Sequence, residues 1–201
     1  MPNYGTTKNV EDFNNPKEST GGSVRVRKGE ESLIFIHNPK TAGSSISYWL
    51  NDLIYSGYTY EKLNVHYTLK RTRQIWSEPA TTFCVVRNPF SRYVSFWSYD
   101  MKANVEEETD FRTWFWNHHR KISLQEDYYV GCDIILKYEN LEEDFKQIQE
   151  KVNSFFPLNR INVSQDYRTK HHSSYYDEEM YQRVMEINRE TIKNFGYDFK
   201  D

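Results

Sequence analysis

Three short apolar runs stand out along an otherwise polar chain: Leu33–Ile36, Phe83–Val86 and Ile134–Leu136. Each is continuous rather than alternating, the pattern of a strand covered on both faces of a sheet. Each is followed by a turn and then by apolar positions at helical spacing. After the first run these are Ile46, Trp49, Leu50, Leu53 and Ile54; after the second, Phe90, Tyr93, Val94, Trp97 and Met101; after the third, Leu141, Phe145, Ile148 and Val152. This strand–turn–helix recurrence predicts a single α/β domain, a short, mostly parallel sheet flanked by helices. Val24-Arg25-Val26-Arg27 alternates and predicts a weak edge strand. Leu63–Tyr67 reads as a short strand or a helix start, and Phe111–Trp116 as a short aromatic helix. Asp177 caps a final helix carrying Tyr181, Val184, Ile187 and Phe195 and closing near Gly196.

Composition adds boundaries. Residues 1–30 are polar and read as a flexible arm, leaving 31–201 as the folded domain. The net charge of −3 gives no global basic field for nucleic acid, so any anion site is local. The 16 Tyr, 12 Phe and 5 Trp support a packed core and can supply stacking surfaces for a base or a sugar. No apolar run is long enough to span a membrane, and residues 1–30 lack the apolar core of a signal peptide, so the expectation is a soluble, cytoplasmic chain. Cys84 and Cys132 read as free thiols. No Cys/His cluster has metal-ligand spacing, so no metal is expected.

The candidate chemistry begins where the first strand ends, at His37-Asn38-Pro39-Lys40-Thr41-Ala42-Gly43-Ser44-Ser45. A strand, a small-residue turn with a lysine, and a helix N-terminus make an anion cradle, because the first amides of a helix lack intrahelical acceptors and sit at the positive end of its dipole. Lys40 adds a full charge; the hydroxyls of Thr41, Ser44 and Ser45 add neutral donors. The lysine precedes the glycine, so this is not a Walker A loop. A second junction, Arg87-Asn88-Pro89-Phe90-Ser91-Arg92-Tyr93-Val94-Ser95, places Arg87 at a strand end and Pro89 in the first turn of a helix. Arg92 reads as a structural ion pair, with orientation toward the site left open.

The order P-K-T-x-G-[ST]-[ST] after an apolar strand resembles the 5′-phosphosulfate loop of sulfotransferases that use 3′-phosphoadenosine 5′-phosphosulfate (PAPS). R-[DN]-P-x-x-R-x-x-S after the second strand resembles the 3′-phosphate loop of the same family. The resemblance runs from about residue 32 to 199 and is nearest to the heparan sulfate 2-O-sulfotransferase and related carbohydrate branch. It implies a sulfotransferase-type P-loop fold and transfer of a sulfuryl group from PAPS to an acceptor hydroxyl, a glycan first with a small metabolite or a peptide tyrosine left open, and with 3′,5′-adenosine bisphosphate (PAP) as product. In that reading Lys40 stabilises the leaving group, the backbone of Thr41, Ala42, Gly43, Ser44 and Ser45 holds the 5′-phosphate, and Arg87 and Ser95 hold the 3′-phosphate.

A base must take the hydroxyl proton, and histidine suits this near neutral pH. His66 lies between the two motifs, where the resembling branch carries a catalytic histidine, and ranks first. His37 follows, then His171 and His172; Arg168 or Lys170 is a candidate nucleotide contact, and Glu139 is a further candidate base. Two other readings stand beside this one. An ATP-using P-loop kinase requires Mg²⁺ and a Walker-B-like Asp; here Asp133 precedes its apolar run. The other is a non-catalytic nucleotide-binding protein of the same fold.

Overall fold

The computed structural model describes residues 21–103, 109–159, 161 and 170–200. The strands are β1 (Val24–Lys28), β2 (Glu31–Ile36), β3 (Thr59–Lys62), β4 (Thr81–Val86) and β5 (Ile134–Lys137). They form one sheet in the order β3-β1-β2-β4-β5. Strands β2, β4 and β5 are parallel, with Phe35 opposite Phe83 and Cys84 opposite Ile135. β1 runs antiparallel to both β2 and β3. Four of the five strands therefore run the same way, as expected of a short, mostly parallel sheet in a single α/β domain, and β1 alone is reversed and makes the sheet mixed. The cause is local: only Gly29 and Glu30 separate β1 from β2, and Gly29 at φ 59 makes a hairpin turn that only antiparallel strands accept.

β1 is not an edge strand. Val24 and Val26 are fully buried on one face, and on the other Arg25 lies over the Trp76 ring, paired with Glu61 and Glu78. Its alternation marks one polar face, not a position in the sheet. The edges are β3 and β5, and Leu63–Tyr67 beyond β3 is irregular. The sheet thus begins at Val24, inside the segment read from sequence as an arm; residues 1–20 lie outside the described residues.

Helices cover both faces. Leu33 and Phe35 of β2 and Phe83 and Val85 of β4 pack against α1 (Gly43–Asp52) and the pair α6 (Leu141–Asp144) and α7 (Lys146–Lys151). Ile34, Ile36, Cys84 and Val86 point the other way, toward α2 (Leu69–Ile75), α5 (Glu126–Tyr129) and α9 (Arg189–Phe195). This two-sided burial is why the β2 and β4 sequences are continuous apolar runs. A third, aromatic cluster joins α3 (Pro89–Lys102), α4 (Phe111–His118) and α8 (Glu178–Ile187). The final helix expected from Asp177 is two helices, α8 and α9, meeting at Asn188. Loops β2–α1 and β4–α3 leave the C-terminal ends of adjacent parallel strands, where open α/β sheets form a ligand crevice.

Candidate active site

The first loop is a strained turn held from within. Lys40 (φ 67) and Ala42 (φ 66) both adopt the left-handed conformation, and Ala42 precedes α1 without a side-chain cap. For residues other than glycine this costs about 1–3 kcal/mol each and tends to gather at functional sites. Alternating handedness turns successive amides toward a common concavity, the arrangement that receives anions. The Thr41 hydroxyl donates to the Asn38 carbonyl at 2.8 Å, so it braces the turn instead of serving as the outward donor expected from sequence. The Ser45 hydroxyl accepts from the Ile161 amide at 3.0 Å, which leaves its proton to donate. Gly43 is required because of His37: a Cβ there would stand 1.6 Å from His37 Nε2.

The second loop meets the first directly. Arg87 Nη1 donates to the Lys40 carbonyl at 3.2 Å, and Nε donates to the Ser91 hydroxyl at 2.9 Å. The guanidinium lies over Tyr138, 4.1 Å from the ring centroid. The Lys40 ammonium sits 4.1 Å from the Tyr99 ring centroid. Ser91 and Tyr99 are eight residues apart on α3, so Ser95, four from each, lies on the same stripe between them. The helix therefore presents Ser91 to Arg87 and Tyr99 to Lys40. Burial, and then the Arg87 charge, lowers Lys40 to about 8.

His66 and His37 lie beside the loop as a contacting pair, ring centroids 4.3 Å apart and near perpendicular. His66 Nδ1 is 3.0 Å from the His37 carbonyl, which only accepts, so Nδ1 carries the proton and Nε2 the lone pair. His37 Nδ1 donates in the same way to the Gly22 carbonyl at 3.2 Å. Burial lowers the pKa of both, His37 most strongly, and nearby Lys40 and Lys62 add to the effect. Both are neutral at pH 7. His66 is half-buried, and a Cβ at Gly21 would stand 2.6 Å from its Nε2.

A buried hydrogen-bond network supports the two loops. Arg92, 2% exposed, donates to Pro39 O, Ser123 O and Asn38 Oδ1. These are neutral oxygens, so the expected ion pair is replaced by three bonds that fix the Asn38–Pro39 turn. Gln125 bonds Asn38 and both backbone groups of Arg87. Gln125, Tyr99 and Tyr138 lie outside the two loop motifs, and Ser91 lies inside the second one without a role; the part each plays at the site was missed from sequence. Among the other candidates, the Glu139 carboxylate accepts from the Asn88 amide at the start of α3, the place of a helix-capping charge. His172 stacks on Phe90 and bonds the Phe199 carbonyl, and His171 bonds Ser173. Lys170 is exposed and Arg168 lies outside the described residues. Asp133 accepts from the Thr82 amide and hydroxyl, at the end of the sheet away from the loops, so it is not placed to hold a nucleotide-bound metal. No group of three or more His, Cys, Asp or Glu among the described residues could hold a metal ion. Cys84 and Cys132 are free thiols, and burial pushes the Cys84 thiol up.

The two loops lie side by side at the C-terminal edge of a helix-covered sheet, where open α/β domains form a ligand crevice. The sulfotransferase family model matches residues 25–133, just over half of the chain, and the chain belongs to that family. The match spans both loops, His66 and Gln125. No curated protein and no solved structure matches the chain. Among the described residues no helix is long and apolar enough to cross a membrane.

Proposed function

We propose that this sulfotransferase-family chain moves the sulfuryl group of PAPS to an acceptor hydroxyl, with a carbohydrate hydroxyl as the first class to test. The observation that carries the reading is the 3.2 Å bond from Arg87 to the Lys40 carbonyl, which sets a guanidinium for one phosphate beside a lysine loop for another. The donor set fits a nucleotide with separated anionic groups. Arg87 offers a planar fork for the 3′-phosphate, with Ser95 beside it. The α1 N-terminus and the amides of Thr41–Ser45 suit the 5′-phosphate.

In this mechanism Lys40 neutralises charge building on the bridging oxygen as the S–O bond to the 5′-phosphate breaks. The acceptor oxygen attacks sulfur in line, and its proton passes to His66 Nε2. The Nδ1–H bond to the His37 carbonyl holds the tautomer this needs and stabilises the imidazolium that forms. The products are the sulfate ester, PAP and the proton on His66.

The test is transfer of radiolabelled sulfate from PAPS to a panel of hydroxyl acceptors. An oligosaccharide hydroxyl should become labelled, and Lys40→Ala and His66→Ala should each abolish labelling. Wild-type turnover in both variants overturns the assigned roles. Label confined to a phenol overturns the carbohydrate assignment.

A further inference from the structure

We infer that Gln125 is a positioning residue that sets the spacing between the two phosphate-binding loops. The inference rests on the reading above. The parallel ladder between β2 and β4 reaches only to Ile36 opposite Cys84. Beyond it the Lys40 loop has left the sheet while β4 stays paired with β5 as far as Val86 opposite Lys137, so no β2–β4 pairing fixes the separation of Lys40 and Arg87. Gln125, fully buried at the start of α5, takes over there. Its Oε1 accepts from the Arg87 amide at 3.0 Å while its Nε2 donates to the Arg87 carbonyl at 2.7 Å. The side-chain amide thus pairs with Arg87 as the N–H and C=O of one residue in an antiparallel strand would. The same Oε1 accepts from Asn38 Nδ2 at 2.9 Å, and Asn38 Nδ2 also donates to the Val85 carbonyl at 3.0 Å.

The ring closes through Arg92, which bonds Asn38 Oδ1 and the Ser123 carbonyl, two residues before Gln125. One side chain therefore grips the main chain of the 3′-phosphate arginine and the first turn of the lysine loop. Only glutamine supplies both halves at this length: glutamate keeps the two accepted bonds but cannot donate to Arg87 O, and leucine keeps only the volume. A ligand that touches a single loop should be nearly indifferent to Gln125. A ligand that bridges both loops should depend on it.

The experiment measures binding of PAP, 5′-AMP and 3′-AMP by competition calorimetry to wild type, Gln125→Leu and Gln125→Glu, with thermal unfolding of each. Wild type should prefer PAP over either monophosphate. That preference should fall at least tenfold in Gln125→Leu and by a smaller factor in Gln125→Glu, while monophosphate affinities move less than threefold. Should the leucine variant fail to fold, the glutamate variant carries the same comparison. A lower melting temperature with the wild-type preference for PAP intact overturns the inference and leaves Gln125 a purely structural residue. Absence of a PAP preference in wild type itself overturns the nucleotide reading, and the inference with it.

Discussion

Gly43→Ala tests the packing of the lysine loop against His37. Gly43 opens α1 with an ordinary helical backbone, so alanine meets no conformational objection there, and helix propensity favours it by up to about 1 kcal/mol. The obstacle is steric. The new methyl would lie 1.6, 2.0 and 2.3 Å from Nε2, Cδ2 and Cε1 of His37. The ring would have to retreat by roughly 2 Å to regain ordinary contact. It has nowhere to go: it stacks on Phe35 at 5.3 Å, abuts His66, and is tied to Gly22 O. Overpacking of this kind costs about 1–3 kcal/mol, and expelling the ring instead forfeits its hydrogen bond, about 1 kcal/mol more. The expected net loss is about 2–3 kcal/mol, a large share of the roughly 5–15 kcal/mol a domain possesses. Urea unfolding should show a midpoint lower by about 1 M or more at unchanged slope. In Gly43→Ala with His37→Ala the clash disappears, so the double variant should be more stable than the sum of the singles by about 1–3 kcal/mol. A neutral Gly43→Ala, or strict additivity, refutes the reasoning.

Turnover against pH should be bell-shaped. His66 must be neutral, which places the acid limb below 6.5, and Lys40 must be charged, which places the basic limb near 8. Lys40→Arg should move the basic limb out of range, and a basic limb unmoved by that change assigns it to another group. Stability should fall as pH drops through about 6.5, because the unfolded state binds a proton there that buried neutral His37 refuses. Denaturant midpoints from pH 8 to 5 should show this decline, flattened in His37→Gln; an equal slope in the variant assigns it elsewhere. Arg92→Met should cost at least about 1–3 kcal/mol, the penalty for one buried acceptor left unpaired, since Pro39 O, Ser123 O and Asn38 Oδ1 lose a buried donor together. Calorimetric unfolding checks this, and a loss below about 1 kcal/mol contradicts it.

The sequence made the two strand–loop–helix junctions legible because their chemistry is local. Apolar runs covered on both faces, Pro89 at a helix start and a glycine beside a lysine are all written within a dozen residues. The positions of Lys40 and Arg87 on two loops that meet follow from that pattern. β1 was misjudged because alternation reports which side of a strand is polar and says nothing of its neighbours; Arg25 hides its charge between Glu61, Glu78 and Trp76. Arg92 was misjudged because a buried arginine suggests a carboxylate, whereas loop carbonyls outside the ladder are equally in need of donors. Gln125 was invisible. It lies 87 residues from Asn38 and 38 from Arg87, and nothing local marks a glutamine that completes a distant turn. The Thr41 hydroxyl was assigned outward because sequence cannot show that the turn needs it at Asn38 O.

The central claim is that the two loops form a single binding site for a nucleotide carrying both a 3′- and a 5′-phosphate. Its most direct test is calorimetric binding of PAP against ADP and ATP, each with and without Mg²⁺. The account expects tight PAP binding that is indifferent to Mg²⁺, with much weaker ADP binding, and a PAP affinity at least tenfold lower in Arg87→Ala. ATP binding that equals or exceeds PAP and depends on Mg²⁺ would contradict it.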